Sequence, residues 1–563
     1  MTQPTSPGPH DNGTSETARG PRRLEQLRTL LDTVAPVEAR GIVPELMLPS
    51  PPEDRTEALR LAARFSLRAD FSTEELLRLW STVDGDPGGF CENSLAPAYS
   101  ARKAIRRLVP LSAPGDGTDA LKLAARFAGQ DRYVHKLLLR LWPKAPDPDG
   151  FAEHLLAPVL HDVGMTELRL SHRASLTGLR HLTMLDRLRL DWGRELTDLT
   201  EVGELTNLTR LGLWGCRGIE DLTPLSRLTR LTHLDLNACD SVADVEPLLA
   251  LRHLRELRLT STKVGSVSEF GPAFPVLESL DLRSCASLTD LDGLFELRSL
   301  THLWMSDNDR FRDLSPFAAL PRLETLGIDK FTNLATLEGL GTHPRLTKLG
   351  IHGCDGLRTT EGLGEQPALR EVSLTGRGAP TDLRGLGRLP ALHTLLLNGT
   401  PVSNLDGLAG SPLSSLNLRY MESLESLDAL RNCPELQDLT LCGCPLVQDI
   451  PAGSLRSLSL SGVSWTELSR LAGQPGLRSL ELGSSTLRDI TALTGLRHLV
   501  DLDLGRCRHL HDLRPLLDMP SLTNVRLPDD LGTFTESGTP VPLVAELKER
   551  GVTVLGVTGP RHD

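Results

Sequence analysis

At 563 residues the chain exceeds what one hydrophobic core organises, which leaves several domains or a repeat array. A formal net charge of −12 argues against loose, charge-driven attachment to nucleic acid or to an anionic membrane surface. No run of about 20 residues is free of charge, so no transmembrane helix is expected, and nine scattered cysteines suit reduced, packed thiols better than a disulfide framework.

Residues 1–22 are polar and rich in Pro, Gly, Ser and Thr, the composition of a disordered tail. The pair Arg22-Arg23 is followed by a charged amphipathic stretch and not by the apolar core of a twin-arginine signal. A cytoplasmic protein is therefore expected.

Residues 23–162 read as an all-α domain, because apolar residues recur at helical spacing and strand signals are weak. The domain contains a tandem repeat of 62 residues. Ala58-Leu-Arg-Leu-Ala-Ala-Arg-Phe65 matches Ala120-Leu-Lys-Leu-Ala-Ala-Arg-Phe127, and Leu76-Leu-Arg-Leu-Trp80 matches Leu138-Leu-Arg-Leu-Trp142. Trp80 and Trp142 are equivalent, and core packing is their expected role.

Residues 163–527 carry a second, shorter repeat. Leu208, Leu231, Leu254, Leu277, Leu300, Leu323, Leu346, Leu369 and Leu392 follow one another at 23 residues. Leu185 starts the series and Met165 opens a degenerate first unit. The spacing loosens through Leu413, Leu436, Leu455, Leu477 and Leu499 and closes at Leu522. Within a unit the pattern is L-x-x-L-x-L-x-x-C/N, as in Leu277-Glu-Ser-Leu280-Asp-Leu282-Arg-Ser-Cys285. Leu280 and Leu282 alternate as a half-buried strand does. The later set Leu288, Leu291, Leu294 and Leu297 has the spacing of a helical turn or 3-10 arc. One unit cannot outweigh its own ordering entropy, but a stack shares a continuous leucine spine. Cys216, Cys239, Cys285, Cys354, Cys444 and Cys507 occupy the ninth position, with Asn308 in another unit. That position is expected to face inward, where a small polarizable or hydrogen-bonding group meets backbone.

Residues 528–563 read as a loop, Pro528 to Pro540, and a helix-strand cap. The helix is expected over Val541 to Arg550 and the strand within Val552 to Val557, sealing leucines that would otherwise face water.

The units resemble leucine-rich repeats. The arcs Asp221-Leu-Thr-Pro-Leu225 and Asp313-Leu-Ser-Pro-Phe317 resemble the internalin-like class. The resemblance covers Met165 to Leu527 and implies an α/β solenoid, with parallel strands on the concave face and short helices or 3-10 arcs on the convex face, used as a binding scaffold. Helical plus leucine-rich chains also resemble the sensor part of bacterial STAND-type NTPases. No G-x-x-x-x-G-K-[ST] loop is present to cradle a phosphate, so the nucleotide-binding half is missing from this sequence.

Signals for catalysis are weak. H-E-x-x-H and G-x-S-x-G are absent. The dipeptides His161-Asp162 and His511-Asp512 lack the further ligands a metallohydrolase needs. Cys442-Gly-Cys444 and the Cys507, His509, His511 cluster look metal-like, but Cys444 and Cys507 sit at the inward ninth position. No catalytic residue, cofactor or metal is assigned.

The expected function is a non-catalytic protein-binding scaffold or sensor. The residues between the strand leucines face the concave surface, and in the early units these are Arg187, Arg189, Trp192, Arg210, Trp214, His233, Asp235, Arg258, Asp281, Arg283, His302 and Trp304. Tryptophan and arginine dominate binding hot spots. Packing of Trp192 and Trp214 on the helical domain is the competing explanation for that pair, and Trp304 is the better ligand anchor. Later units offer smaller groups such as Gly350, Ser373, Thr375, Asn398, Ser457, Ser459 and Gly483, which suit a closely approaching backbone or an inert surface. A protein partner is expected, and no membrane. Nucleic acid is disfavoured because Asp235 and Asp281 interrupt the basic stripe. The alternative is an effector or enzyme with an unrecognised catalytic helical domain, which requires titratable residues converging between the two helical repeats.

Overall fold

The computed structural model describes residues 101–112, 118–128, 133–378, 380–463, 468–483, 487–529 and 541–555, together with Ile42, Leu61, Ala62, Phe65 and Trp465. The N-terminal tail, nearly all of the first copy of the helical duplication with Trp80, and most of the loop from Pro528 to Pro540 lie outside the described residues. The chain forms two compact units, residues 1–190 with 195–210 and residues 191–194 with 211–563.

In the first unit, helices Ala101–Leu108, Thr118–Ala128 and Val134–Leu141 are followed by a helical run from Pro148 to Asp162. The run has Pro148 at its first position, where a missing N–H costs nothing. The Asp147 side chain accepts from the Gly150 N–H at 3.0 Å and caps it. Leu121, Ala124, Phe127, Leu138, Phe151 and Leu155 make the core between these helices. Trp142 is 3% exposed, and its indole N–H donates to the carbonyls of Pro148 and Thr177 at 3.0 and 3.1 Å. It is a core residue with its polar tip satisfied, as the sequence suggested. The strands Glu167–Ser171 and Arg187–Asp191 belong mainly to this unit and pair with each other.

In the second unit, strands from His233–Asp235 to Thr553–Leu555 pair in chain order, each parallel to the next. The register repeats the leucine spacing: His233, Glu256, Ser279, His302, Thr325, Lys348, Glu371 and Thr394 are successive partners. The loosened spacing after Leu392 is absorbed between strands. The segment joining Asp438–Cys442 to Ser457–Ser461, for example, carries no helical turn among the described residues.

Most connections are 3-10 arcs with a common start. Asp221, Asp244, Asp313, Asp489 and Asp512 each accept the N–H two residues on. This Asx turn fixes the chain direction as the arc begins. The hydrogen bonds hold the carboxyls of Asp221, Asp313 and Asp489 below their ordinary range.

The interior is the predicted spine. Leu277, Leu280 and Leu282 are fully buried, and Cys285 beside them is 2% exposed. Each buried leucine stabilises by about 1.5–3 kcal/mol. The ninth-position thiols turn inward and reach back one unit. Cys239 donates to the Leu213 carbonyl at 3.0 Å, Cys285 to Leu259 at 3.1 Å and Cys507 to Leu482 at 3.1 Å. Burial raises the thiol pKa of Cys354 to about 11. At the C-terminal end, helix Pro542–Glu549 buries Val544 and Leu547, and strand Thr553–Leu555 pairs with Asn524–Arg526. Gly551 takes the left-handed conformation (φ 82°) that closes the helix.

Candidate functional site

The strand sequence L-x-L sends alternate side chains to opposite faces, so the residues between leucines form columns on the outward face of the sheet. One column runs Asp235, Arg258, Asp281, Trp304, Gly327, Gly350, Ser373, Leu396. It rises at Trp304 and drops over the two glycines. A depression of about 340 Å³ results, with Arg283 and Trp304 on one side and Lys348, His352 and Glu371 on the other.

The glycines leave room for the rings beside them. A Cβ on Gly327 would lie 2.6 Å from Cδ1 of Trp304, and one on Gly350 would lie 2.9 Å from Nε2 of His352. Glycine is a poor strand residue, and two in register mark a close approach. Trp304 is half-buried and stacks on His302 with ring centroids 5.8 Å apart and planes 24° from parallel. His352 Nδ1 lies 2.7 Å from the Thr375 hydroxyl, and burial pushes its pKa down, so the ring is neutral near pH 7.

The charges around the depression are mostly closed pairs. Asp281 is only 4% exposed and grips Arg283 through two side-chain bonds of 3.0 and 2.6 Å, raising the arginine pKa. Lys348 pairs with Glu371 at 2.8 Å. Asp329, also lining the depression, makes no hydrogen bond or ion pair through its carboxylate among the described residues.

The other predicted site residues fall in several places. In the first unit Arg187, Arg189 and Arg210 are exposed on strands, and Arg187 lies 3.8 Å from Glu167 and 3.9 Å from Asp186. In the second unit Trp192 and Trp214 pack on each other, with ring centroids 4.6 Å apart. Trp192 holds φ at 58°, a left-handed conformation uncommon for a bulky residue. His233 lies 3.8 Å from Glu256, and Arg258 bridges Glu256 at 2.6 Å and Asp235 at 3.9 Å. Asp281 is the exception to the expected exposure: its carboxylate is a buried anchor for Arg283 and not a contact surface. The arginines of the second unit's early strands are thus neutralised in place.

Of the residues around this depression, the sequence pattern named Trp304, His302 and Arg283 as candidates and did not name Gly327, Asp329, Lys348, His352 or Glu371. The signal that finds them is the pair of glycines one unit apart directly after a tryptophan, at a position where other units carry a side chain.

Neither a family model nor a curated protein matches the sequence. Solved structures do. An internalin (inlF) from Listeria monocytogenes is 20% identical, with 70% of this chain and 94% of that one covered and a TM-score of 0.36. A leucine-rich-repeat protein of Leptospira interrogans is 19% identical, over 72% and 92%, with a TM-score of 0.37. The functional domain of InlJ from Listeria monocytogenes, which includes a cysteine ladder, is 21% identical, over 64% and 73%, with a TM-score of 0.36. The second unit is a leucine-rich-repeat solenoid. Its parallel register, its leucine spine and its arcs make it one. No helix among the described residues is long and apolar enough to cross a membrane.

Proposed function

We propose that the chain is a protein-binding scaffold whose contact surface is the outward sheet face of the early repeats, centred on Trp304. The observation that carries this reading is the glycine-floored depression beside a half-buried tryptophan. An aromatic anchor next to a preformed recess is how interface hot spots are built. Neutralised arginine pairs around it favour a shape-fitted protein partner over a polyanion. Asp329, at the edge of the recess, suits a cationic side chain of that partner. His233, Asp235, Arg258 and the pair Trp192 and Trp214 extend the surface within the second unit, and Arg187, Arg189 and Arg210 are candidate contacts of the first unit by itself. On this reading the protein is non-catalytic and cytoplasmic. The free, mostly buried cysteines are in keeping with a reducing compartment.

A finer version makes the chain the sensor partner of a separately encoded STAND-type NTPase, supported by the pairing of a helical segment with leucine-rich repeats. One experiment tests both. A photo-crosslinking amino acid is placed at position 304 in one version and at position 345, an exposed arginine on a connecting loop, in another. A protein adduct formed from 304 and not from 345 supports the scaffold, and an NTPase in that adduct supports the finer version. Identical adducts from both positions, or adducts from 345 alone, overturn the sheet-face assignment.

A further inference from the structure

A second depression lies wholly within the first unit. Its volume is about 850 Å³, and it is framed by helix Val134–Leu141, the turn Trp142–Lys144, and strand Glu167–Ser171 with the loop that follows. Lys136, Arg140, Lys144, Arg169 and Arg173 line it together with His172, and among the described residues no carboxylate does. In a chain with 73 acidic and 61 basic residues this segregation is pronounced.

The placement follows from local structure. Lys136 and Arg140 are four residues apart on one helix and share a face, a like-charge spacing that opposes helix formation. Lys144 continues that face into the turn. Arg169 and Ser171 alternate outward on the strand. Glu167, the acidic residue on the same strand face, turns to Arg187 at 3.8 Å and does not line the depression. Lys136, Arg140 and Lys144 have no carboxylate within ion-pair reach among the described residues.

Arg173 is the built part of the site. It is half-buried, with its guanidinium 5.4 Å from the centre of the Trp142 ring and one N–H donated to the Leu139 carbonyl at 2.9 Å. Burial pulls its pKa down. A guanidinium has five donors, and this one is held by a ring face and one carbonyl. Among the described residues the remaining donors have no carboxylate to turn to. Trp142 in turn ties the helical turn to the Thr177 loop through its two carbonyl bonds, so the two walls are fixed relative to each other. Gly178 makes the same junction tight, since a Cβ there would lie 2.6 Å from the Ala152 Cβ. The hydroxyls of Ser175 and Thr177, 2.8 Å apart, add donors at the rim.

We propose that this basin binds a compact polyphosphate, carried by a nucleotide or free. Several cations converging on a walled recess suit a ligand with several anionic oxygens in a short length. A nucleic-acid duplex carries a charge about every 1.7 Å along its axis and needs an extended basic track. Here the cations are confined to one recess, and the remainder of the chain is strongly acidic. The proposal is independent of the sheet-face reading.

The test is calorimetric titration of the full chain, in buffer without phosphate, with sodium tripolyphosphate and separately with ATP. Both are expected to bind saturably at one site. Lys136→Glu/Arg140→Glu, two exposed residues, is expected to weaken binding at least about tenfold. Arg345→Glu/Arg388→Glu, the same charge change elsewhere, is expected to change it less than about twofold. If the first variant melts differently from wild type, Lys144→Glu replaces it with the same expected direction. Equal affinity for the two probes assigns recognition to the phosphate chain, and a tighter ATP complex assigns it to a nucleotide. No saturable binding of either probe, or equal weakening by both double variants, overturns the proposal. So does tighter binding of a 20-nucleotide oligothymidylate that Lys136→Glu/Arg140→Glu abolishes, which would make the basin a nucleic-acid site instead.

Discussion

The early and late halves of the solenoid have the same spine but solve the same turn differently. From His233–Asp235 to Ser457–Ser461 the strands close with a left-handed residue whose N–H continues the ladder to the next unit, as from Ala238 to Thr260, Lys330 to His352 and Gly399 to Arg419. Up to Lys330 that position mostly carries side chains: Ala238, Ser261, Ser284, Asp307 and Lys330 hold φ between 53° and 58°. From Gly353 onward glycine takes over at Gly376, Gly399, Gly443 and Gly462, with Tyr420 the exception. A left-handed non-glycine residue is disfavoured by roughly 1–2 kcal/mol. The early units keep these side chains despite that cost, on the half of the sheet that carries Trp304 and its recess.

A second difference lies inside. Three residues before the opening leucine, early units bury Leu228, Leu251, Phe274, Leu297 and Leu320. Later units bury His343, Gln366, Cys433 and Gln474 there in some repeats and keep Leu389, Leu496 and Met519 in others. The polar groups are not interchangeable with leucine, because they serve the backbone. The Gln366 carboxamide accepts from the His343 N–H at 3.2 Å and donates to the carbonyls of Gly341 and Leu363 at 2.6 and 3.0 Å.

The spine itself should not distinguish the halves. Leu326→Ala in the early half and Leu458→Ala in the late half are each expected to cost about 2–5 kcal/mol in urea melts. A cost confined to one half would show that the two do not share a spine. Gln366→Leu, which copies the early residue, is expected to destabilise by about 1–3 kcal/mol because three backbone groups lose their partner; a neutral result would make the amide dispensable. The turn position should give opposite signs. Gly399→Ala, whose added Cβ meets nothing within 4 Å, is expected to cost about 1–2 kcal/mol from backbone conformation alone. Ala238→Gly is expected to stabilise by about 0.5 kcal/mol, the strain relieved less the entropy glycine adds to the unfolded chain. Equal signs would end the comparison.

The smallest effect is on pH dependence. Burial lowers the pKa of His343 and His352 in the folded chain, so the unfolded state binds the proton more readily. Stability is therefore full above about pH 6.5 and falls as the pH drops below it. A second loss begins below about pH 4, where Asp221, Asp313 and Asp489 protonate and release their turns. Melting temperatures of wild type and His352→Gln between pH 7.5 and 5 check the first step, which the variant should flatten.

The sequence made the fold legible because one period held over many units, and leucine at fixed offsets leaves little choice of interior. It also placed the thiols inward, since a ninth position shared by six cysteines is a packing position. The recess was less legible. It depends on Gly327 and Gly350 standing side by side on neighbouring strands, 23 residues apart in sequence, and on rings leaning over them from Trp304 and His352. The burial of Asp281 was hidden for a related reason: its register position is outward, between Arg258 and Trp304, and the guanidinium of Arg283 closes on its carboxylate. The polar interior at Gln366 and Gln474 broke the leucine pattern with no signal that it was structural.

The backward reach of the thiols gives assembly a direction. Cys239, Cys285 and Cys507 each find their acceptor in the preceding unit, and the buried glutamines do the same, Gln366 at Gly341 and Gln474 at Pro451. A unit leaving the ribosome therefore finds the acceptors of its thiol and glutamine already in place, while N–H groups such as those of Ala238, Lys330 and Gly399 wait for carbonyls of the unit still to be made. The interior contacts are thus templated from the N-terminal side, and the sheet ladder is completed from the other.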